Sequence, residues 1–140
     1  PNSKYEIDIL IKIRLIDNNL AAEKLNIANF YLEKGNTNGS LVYLIDIFEN
    51  HSSSLSIEET LFLITKIYYS LSEYELAKNY ASILAYNFPK SKWYQESYNM
   101  INGLEDVGKN KKWYEKYNPI RIFIKNEENN SNNISIQSIR

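Results

Sequence analysis

The sequence predicts an all-α fold built from stacked helical hairpin repeats, an α-solenoid. Residues 57–89 hold two apolar stripes of helical spacing, separated by the polar stretch "SEYE" and ended by a proline. A similar pattern lies upstream, with Tyr31 and Tyr68 at corresponding positions 37 residues apart. The motif Pro-x-Ser-Lys-aromatic occurs at residues 1–5 and again at residues 89–93, and we interpret both copies as junctions between successive hairpins.

The first predicted element is one long helix from about residue 4 to residue 34, ended by Gly35. Its start, "YEIDILIKIRLI", also fits a β-strand, because its apolar residues alternate with polar ones. A helical face accounts for the same stretch through Ile9, Ile13, Ile16 and Leu20. Because the sequence around this stretch is helical, the helix is favoured over the strand.

The second predicted helix follows Gly35 and completes the first hairpin. The repeat pattern turns four of its side chains inward, namely Ser40, Leu44, Ile47 and Phe48. The loop "HSSSLS" then leads to the second hairpin and carries about three more residues than a standard repeat junction.

The second hairpin fits the 34-residue pattern of the tetratricopeptide repeat (TPR). That pattern requires large, large, aromatic, small and proline residues, which are here Leu61, Ile64, Tyr68, Ala77 and Pro89. We expect small residues at Ala77 and at Ala81 because the two helix backbones approach closely there. The hairpin therefore predicts a tight helix–helix contact.

A third, partial hairpin begins after Pro89, with Ser91 as the cap of its first helix, "KWYQESYNMINGL". The stretch "KKWYEKY" is interpreted as a remnant of its second helix. We expect the helical repeats to occupy residues 1–117 and an extended or disordered tail to occupy residues 118–140. Within that tail, "RIFIK" at residues 121–125 is a candidate strand with nothing to pair with.

The composition of the chain excludes several classes of function. The chain has 140 residues, a formal net charge of −1 and no cysteine, so disulfides and thiolate metal sites are excluded. Nearly balanced charges argue against nucleic acid or an anionic membrane surface as the main partner. No stretch has the length of a membrane span. Because the chain begins with proline, we expect it to be a fragment of a longer protein.

The sequence predicts no catalytic site, no metal site and no cofactor. His51 is the only histidine and is expected to be an exposed loop residue. Glu58 and Glu59 begin a helix, where acidic side chains stabilise the positive end of the helix dipole. Four glycines in the whole chain leave no phosphate-binding loop. We therefore expect a protein that is not an enzyme.

The helix "SLVYLIDIF" is apolar on nearly all sides, which requires that something cover it. The inward set leaves Leu41, Tyr43 and Ile45 pointing largely away from the hairpin, interrupted only by Asp46. Two interpretations are open. Either the long first helix or a flanking hairpin covers this face within the chain, or the face binds a partner.

Four segments follow one another in a characteristic order and with an unusual first spacing: "PNSKY", "IANFYLEKG", "EETLFLITKIYYSL" and "NFPKSKWY". Through these segments, over about residues 1–98, the chain resembles the BamD family of outer-membrane protein assembly factors, the ComL-type lipoproteins. The resemblance implies a lipid-anchored scaffold on the periplasmic face of the outer membrane, with the anchoring cysteine in a part missing from this fragment.

The resemblance also implies partners. C-terminal repeats of this family dock on a POTRA domain of the barrel assembly protein, in company with other assembly lipoproteins. Where the family commonly has Asn-Arg, this chain has Val42-Tyr43. A charge pair to the partner through that arginine is therefore not expected here. If this face of the helix binds the partner, Tyr43 with Leu41 and Ile45 forms an apolar anchor instead, and the candidate partner-binding residues are Leu41, Tyr43, Ile45 and Asp46.

Two other functions are compatible with the sequence. Another periplasmic TPR protein would grip a peptide in its concave groove, for which Lys24, Asn29 and Lys66 are candidates. An enzyme whose catalytic domain lies in the missing part would carry these repeats as an accessory. The upstream reading frame would distinguish the assembly scaffold, the peptide-binding protein and the enzyme from one another.

Overall fold

The structure is a computed structural model that describes residues 2–102. This part of the chain contains five helices and no strand: α1 (Asn2–Glu33), α2 (Thr37–Asn50), α3 (Ile57–Ser70), α4 (Tyr74–Asn87) and α5 (Lys92–Asn102). The all-α prediction is confirmed, and so is the single long first helix in place of a strand. The predicted tail at 118–140, its candidate strand and "KKWYEKY" lie outside the described residues.

The helices form two complete hairpins and the start of a third. Helix α1 packs against α2, and α3 packs against α4. Helix α3 also packs against α2, while α5 packs against α3 and α4. The first helix of the second hairpin is therefore enclosed by helices from both neighbouring units, as expected for stacked repeats.

The two complete hairpins turn in the same way. After α1, Gly35 adopts a φ of +73°, and the backbone N–H of Asn36 donates to the carbonyl of Tyr31 at 2.8 Å. After α3, Ser72 adopts a φ of +62°, and the N–H of Glu73 donates to the carbonyl of Tyr68 at 2.9 Å. Both are left-handed turns that satisfy the last helical carbonyls. They lie 37 residues apart, which confirms the repeat spacing predicted from the sequence.

Stacked tyrosines mark the same spacing inside the hairpins. Tyr31 of α1 stacks on Tyr43 of α2, with ring centroids 5.8 Å apart. Tyr68 of α3 stacks on Tyr80 of α4, with centroids 5.7 Å apart. Phe48 of α2 meets the Tyr80 ring edge-on, with centroids 5.5 Å apart, and so joins the two hairpins. Because Tyr80 is partly buried, the pKa of its hydroxyl group is raised.

The core lies along the contacts of α3 with its neighbours. Among the largest fully buried side chains are Leu44, Ile47, Leu61, Ile64 and Leu84. Ala77 and Ala81 are also fully buried, as expected where helix backbones approach closely. At the α4–α5 junction, the Ser91 hydroxyl accepts from the Trp93 N–H at 3.1 Å, which confirms the predicted cap.

Helix α1 is much longer than its partner. With 32 residues it extends over about 48 Å, against about 21 Å for α2. Residues 3–16 are exposed on every side of the helix. Where the exposed half ends, α1 is joined to the α2–α3 loop: Asp17 contacts the His51 ring at 2.5 Å, and Asn18 accepts from the Leu55 N–H at 2.9 Å.

Candidate partner-binding surface

Helix α2 is fixed in its orientation from its first turn. Asn36 precedes it, and the Asn36 side chain accepts from the Gly39 N–H at 2.8 Å. Ser40, Leu44 and Ile47 are fully buried, which confirms their predicted inward direction. A side chain at position 39 is excluded, because a Cβ there would lie 2.8 Å from the Tyr31 ring. α1 and α2 therefore approach closely at this end.

Two of the four candidate partner-binding residues face α1. Tyr43 is half-buried and stacks on Tyr31. Asp46 lies one turn further on and bonds to the Lys24 ammonium group. The Asn50 side chain donates to the other Asp46 carboxylate oxygen at 2.6 Å. This side of α2 is thus held to the long helix by a ring stack and an ion pair.

The other two candidates share a different side of α2. Leu41 and Ile45 are one helical turn apart, so their side chains lie on the same face. Both are half-buried and pack against the core. The four candidates therefore do not form a single apolar patch, because α1 covers one side of α2 and the core covers part of the other.

The most exposed apolar residue of α2 is not among those predicted from the sequence. Val42 is 68% exposed. Glu49, seven residues further on, lies on the same outward side of α2, and Ile45 and Asp46 border that side where α2 packs against the core and against α1. The seven-residue spacing of Val42 and Glu49 was the signal in the sequence that could have identified this side of the helix. We define this set, Val42, Ile45, Asp46 and Glu49, as the α2 outer face.

Asp46 carries a negative charge on the α2 outer face, and its neighbours stabilise that charge. The hydrogen bond from Lys24 lowers the pKa of the Asp46 carboxyl group, and the bond from Asn50 lowers it further. Because the folded pKa lies below the unfolded value, the ion pair contributes stability above about pH 5. That contribution is lost as the pH falls through the folded pKa.

Replacing Asp46 with asparagine should lower the thermal midpoint slightly at pH 7. For a partly exposed pair the loss in unfolding free energy is about 0.2–1 kcal/mol. The difference from the native chain should shrink as the pH falls through the lowered pKa of the Asp46 carboxyl group, because the group loses its charge there. Circular dichroism melts at pH 7 and at a series of decreasing pH values measure it, with Glu49→Gln as the control. A native advantage that is unchanged in acid would contradict the ion-pair assignment.

The prediction that His51 is an exposed loop residue is wrong. His51 is only 9% exposed, and it ends α2, where its backbone N–H donates to the Ile47 carbonyl. Its ring contacts Asp17 of α1. The contact joins residues 34 positions apart, so the local sequence gave no sign of it. His51 is a structural link between α1 and the α2–α3 loop.

Neither a metal centre nor a groove-lining cation row is evident in residues 2–102. The described residues contain no group of three or more metal-ligating side chains. Of the three groove candidates, Lys24 is engaged with Asp46, Asn29 is half-buried and Lys66 is exposed. The arrangement is that of a helical-hairpin repeat protein, a class that acts through its surfaces.

The chain belongs to the YfiO family of outer membrane lipoproteins, whose family model matches residues 1–84. This result confirms the resemblance predicted from the sequence. A relative from Rickettsia prowazekii, the outer membrane protein assembly factor BamD, is 33% identical over 106 residues. The protein of the same name from Caulobacter vibrioides is 30% identical over 102 residues. A BamD from Neisseria meningitidis serogroup A is 26% identical over 91 residues.

These matches cover most of this chain and a smaller part of each relative. They include 76% of this chain and 42% of the Rickettsia protein, 73% and 33% for Caulobacter, and 65% and 34% for Neisseria. The chain thus spans about a third to two fifths of the relatives' length. No solved structure is significantly similar to it. Among the described residues, no helix is long and apolar enough to span a membrane.

Proposed function

We propose that this chain is the repeat region of a non-catalytic scaffold that supports the folding and insertion of outer-membrane proteins. The observation that carries the proposal is the match to relatives that are named outer membrane protein assembly factors. The all-helical repeat architecture supports it, since solenoids of this kind offer extended surfaces to protein partners. In the full-length protein, a lipid anchor holds the scaffold at the periplasmic face of the outer membrane.

The partner in this proposal is a POTRA domain of the barrel assembly protein, with other assembly lipoproteins alongside. The docking surface is the α2 outer face, bordered by Leu41 and Tyr43. Val42 supplies its most exposed apolar contact, and Tyr43 supplies an aromatic ring already fixed by its stack on Tyr31. A fixed aromatic side chain makes a favourable anchor because little conformational entropy is lost when it binds.

The proposal predicts that Val42→Asp weakens binding to the POTRA region of the barrel assembly protein from the same bacterium. We expect the Kd to rise about tenfold or more, because a charge would be buried at the interface without a partner. Tyr43→Ala should weaken binding by a similar factor, as expected for an aromatic anchor worth about 2 kcal/mol. Isothermal titration calorimetry measures both.

The matched control is Leu55→Asp, which places the same charge at an apolar residue that is 85% exposed and lies in the α2–α3 loop. Its Kd should stay within about twofold of the native value, since surface changes away from an interface have small effects. If Val42→Asp and Tyr43→Ala both bind with native affinity, the α2 outer face is not the docking surface for the POTRA domain. A native chain that does not bind any POTRA domain would contradict the docking proposal itself.

A further inference from the structure

The exposed half of α1 carries a short apolar patch on one side of the helix. It consists of Ile7, Leu10 and Ile13, which are spaced three residues apart and are each more than half exposed. Helix α2 does not cover them, because α1 extends beyond the α2–α3 loop, which it contacts at Asp17. We call these three residues the α1 patch.

The α1 patch continues the side of α1 that packs against α2. Eighteen residues make about five turns of an α-helix, so residues at that spacing point in the same direction. By this spacing the three patch residues correspond to Leu25, Ala28 and Tyr31. Leu25 and Ala28 are buried, and Tyr31 stacks on Tyr43 of α2. The α1 patch therefore has the direction of a surface that already holds an antiparallel helix further along α1.

Two opposite charges border the α1 patch at equal distances from its centre. Glu6 lies four residues before Leu10 and Arg14 lies four residues after it, so both are on the side of the patch. Among the described residues, neither has an ion-pair partner. Glu6 lies 18 residues before Lys24, whose ammonium group pairs with Asp46 of α2. A charge at this border position thus already joins α1 to an antiparallel helix.

The α1 patch and its borders are complementary to themselves when two copies run antiparallel. A two-fold axis at Leu10 places Glu6 of one copy beside Arg14 of the other, and this ion pair occurs twice. The same axis places Ile7 beside Ile13, also twice, and Leu10 against its own counterpart. Apolar residues then meet apolar residues at the centre, and opposite charges meet at both ends.

We propose that the α1 patch binds the α1 patch of a second copy of this chain, as an antiparallel helix pair centred on Leu10. The exposed half of each α1 then lies in line with α2 of the other copy. The segments in contact, from Glu6 to Arg14, are only about 12 Å long. We expect a Kd in the micromolar range, because so short an interface is smaller than the standard size. The surface is separate from the α2 outer face, so the inference is independent of POTRA docking.

Exchanging the border charges tests the contact and its direction. Sedimentation equilibrium of the 140-residue chain at increasing concentration should show a monomer–dimer equilibrium. Arg14→Glu should raise the dimer Kd about tenfold or more, because it places two carboxylates beside each other at both ends of the interface. Adding Glu6→Arg to Arg14→Glu should bring the Kd back to within about threefold of the native value, since the ion pair is restored with its charges exchanged.

Cysteine crosslinking tests the position of the axis, because the chain has no cysteine of its own. Leu10→Cys should form an intermolecular disulfide under mild oxidation, since its two copies face each other across the axis. The matched control is Leu15→Cys, which replaces an equally exposed leucine about 140° away on the helical wheel. It should crosslink about tenfold more slowly, because its two thiols lie too far apart for a disulfide.

A chain that stays monomeric at every concentration would overturn the proposal. A dimer whose Kd is unchanged by Arg14→Glu would also overturn it, as would a double variant that stays as weak as Arg14→Glu alone. If Leu15→Cys crosslinks as fast as Leu10→Cys, another surface holds the two copies together. Circular dichroism of each variant at low concentration should match the native chain, which separates a lost dimer from a lost fold.

Discussion

Replacing Leu61 with alanine should lower the free energy of unfolding by about 2–5 kcal/mol, the range for a large-to-small change in a packed core. Leu61 is fully buried in α3, the helix that contacts α2, α4 and α5. Because helices from both neighbouring hairpins surround α3, its backbone cannot shift toward one of them to fill the cavity without leaving the other. Chemical denaturation followed by circular dichroism measures the change.

The matched control for Leu61→Ala is Leu76→Ala, the same change at a residue of α4 that is 40% exposed. Its effect should stay below about 1 kcal/mol, because much of the deleted side chain already contacts water. A loss of less than 1 kcal/mol for Leu61→Ala would mean that α3 is not the centre of the core.

The second large effect is expected from Ala77→Leu, which adds three carbon atoms where two helices touch. Ala77 is fully buried on the face of α4 that also carries Ala81 and Leu84. Overpacking at such a position costs about 1–3 kcal/mol, because the helices must separate or the side chain must adopt a strained rotamer. The change should appear as a lower thermal midpoint with an unchanged helical spectrum at low temperature.

Ala22→Leu provides the comparison for Ala77→Leu, since Ala22 is exposed on α1 and the added atoms meet solvent. Its effect should be within about 0.5 kcal/mol. Equal midpoints for Ala77→Leu and the native chain would refute the close approach of the helices at Ala77.

The fold was predictable because its signals are local and repeated. Gly35 ends α1, and the equivalence of Tyr31 and Tyr68 sets the repeat length, which the turns of the structure reproduce. The alternating isoleucines near the start suggested a strand, and the structure explains the pattern differently. An alternation of period two, wound at 100° per residue, distributes apolar side chains around the whole helix.

The candidate site was less predictable because it depends on which neighbour approaches each side of α2. Tyr43 is covered through Tyr31 of α1, whereas Phe48 is covered through Tyr80 of α4, 32 residues further along the chain. Helical spacing in the sequence predicts which side chains of α2 face inward. It does not predict how far the side chains next to that face are covered by neighbouring helices. The contact between His51 and Asp17 was unpredictable for the same reason, because nothing in the sequence near either residue indicates that the two lie together.

The unequal halves of α1 have a thermodynamic consequence. Residues 17–33 are held by α2, whereas residues 3–16 depend on their own backbone hydrogen bonds. A helical segment of about 14 residues without tertiary contacts is only marginally stable in water. We therefore expect the first half of α1 to exchange between helix and coil, so that any contact covering it would also have to order it. Such a contact would be weaker than its buried apolar area alone would give, because part of the interaction energy orders these residues.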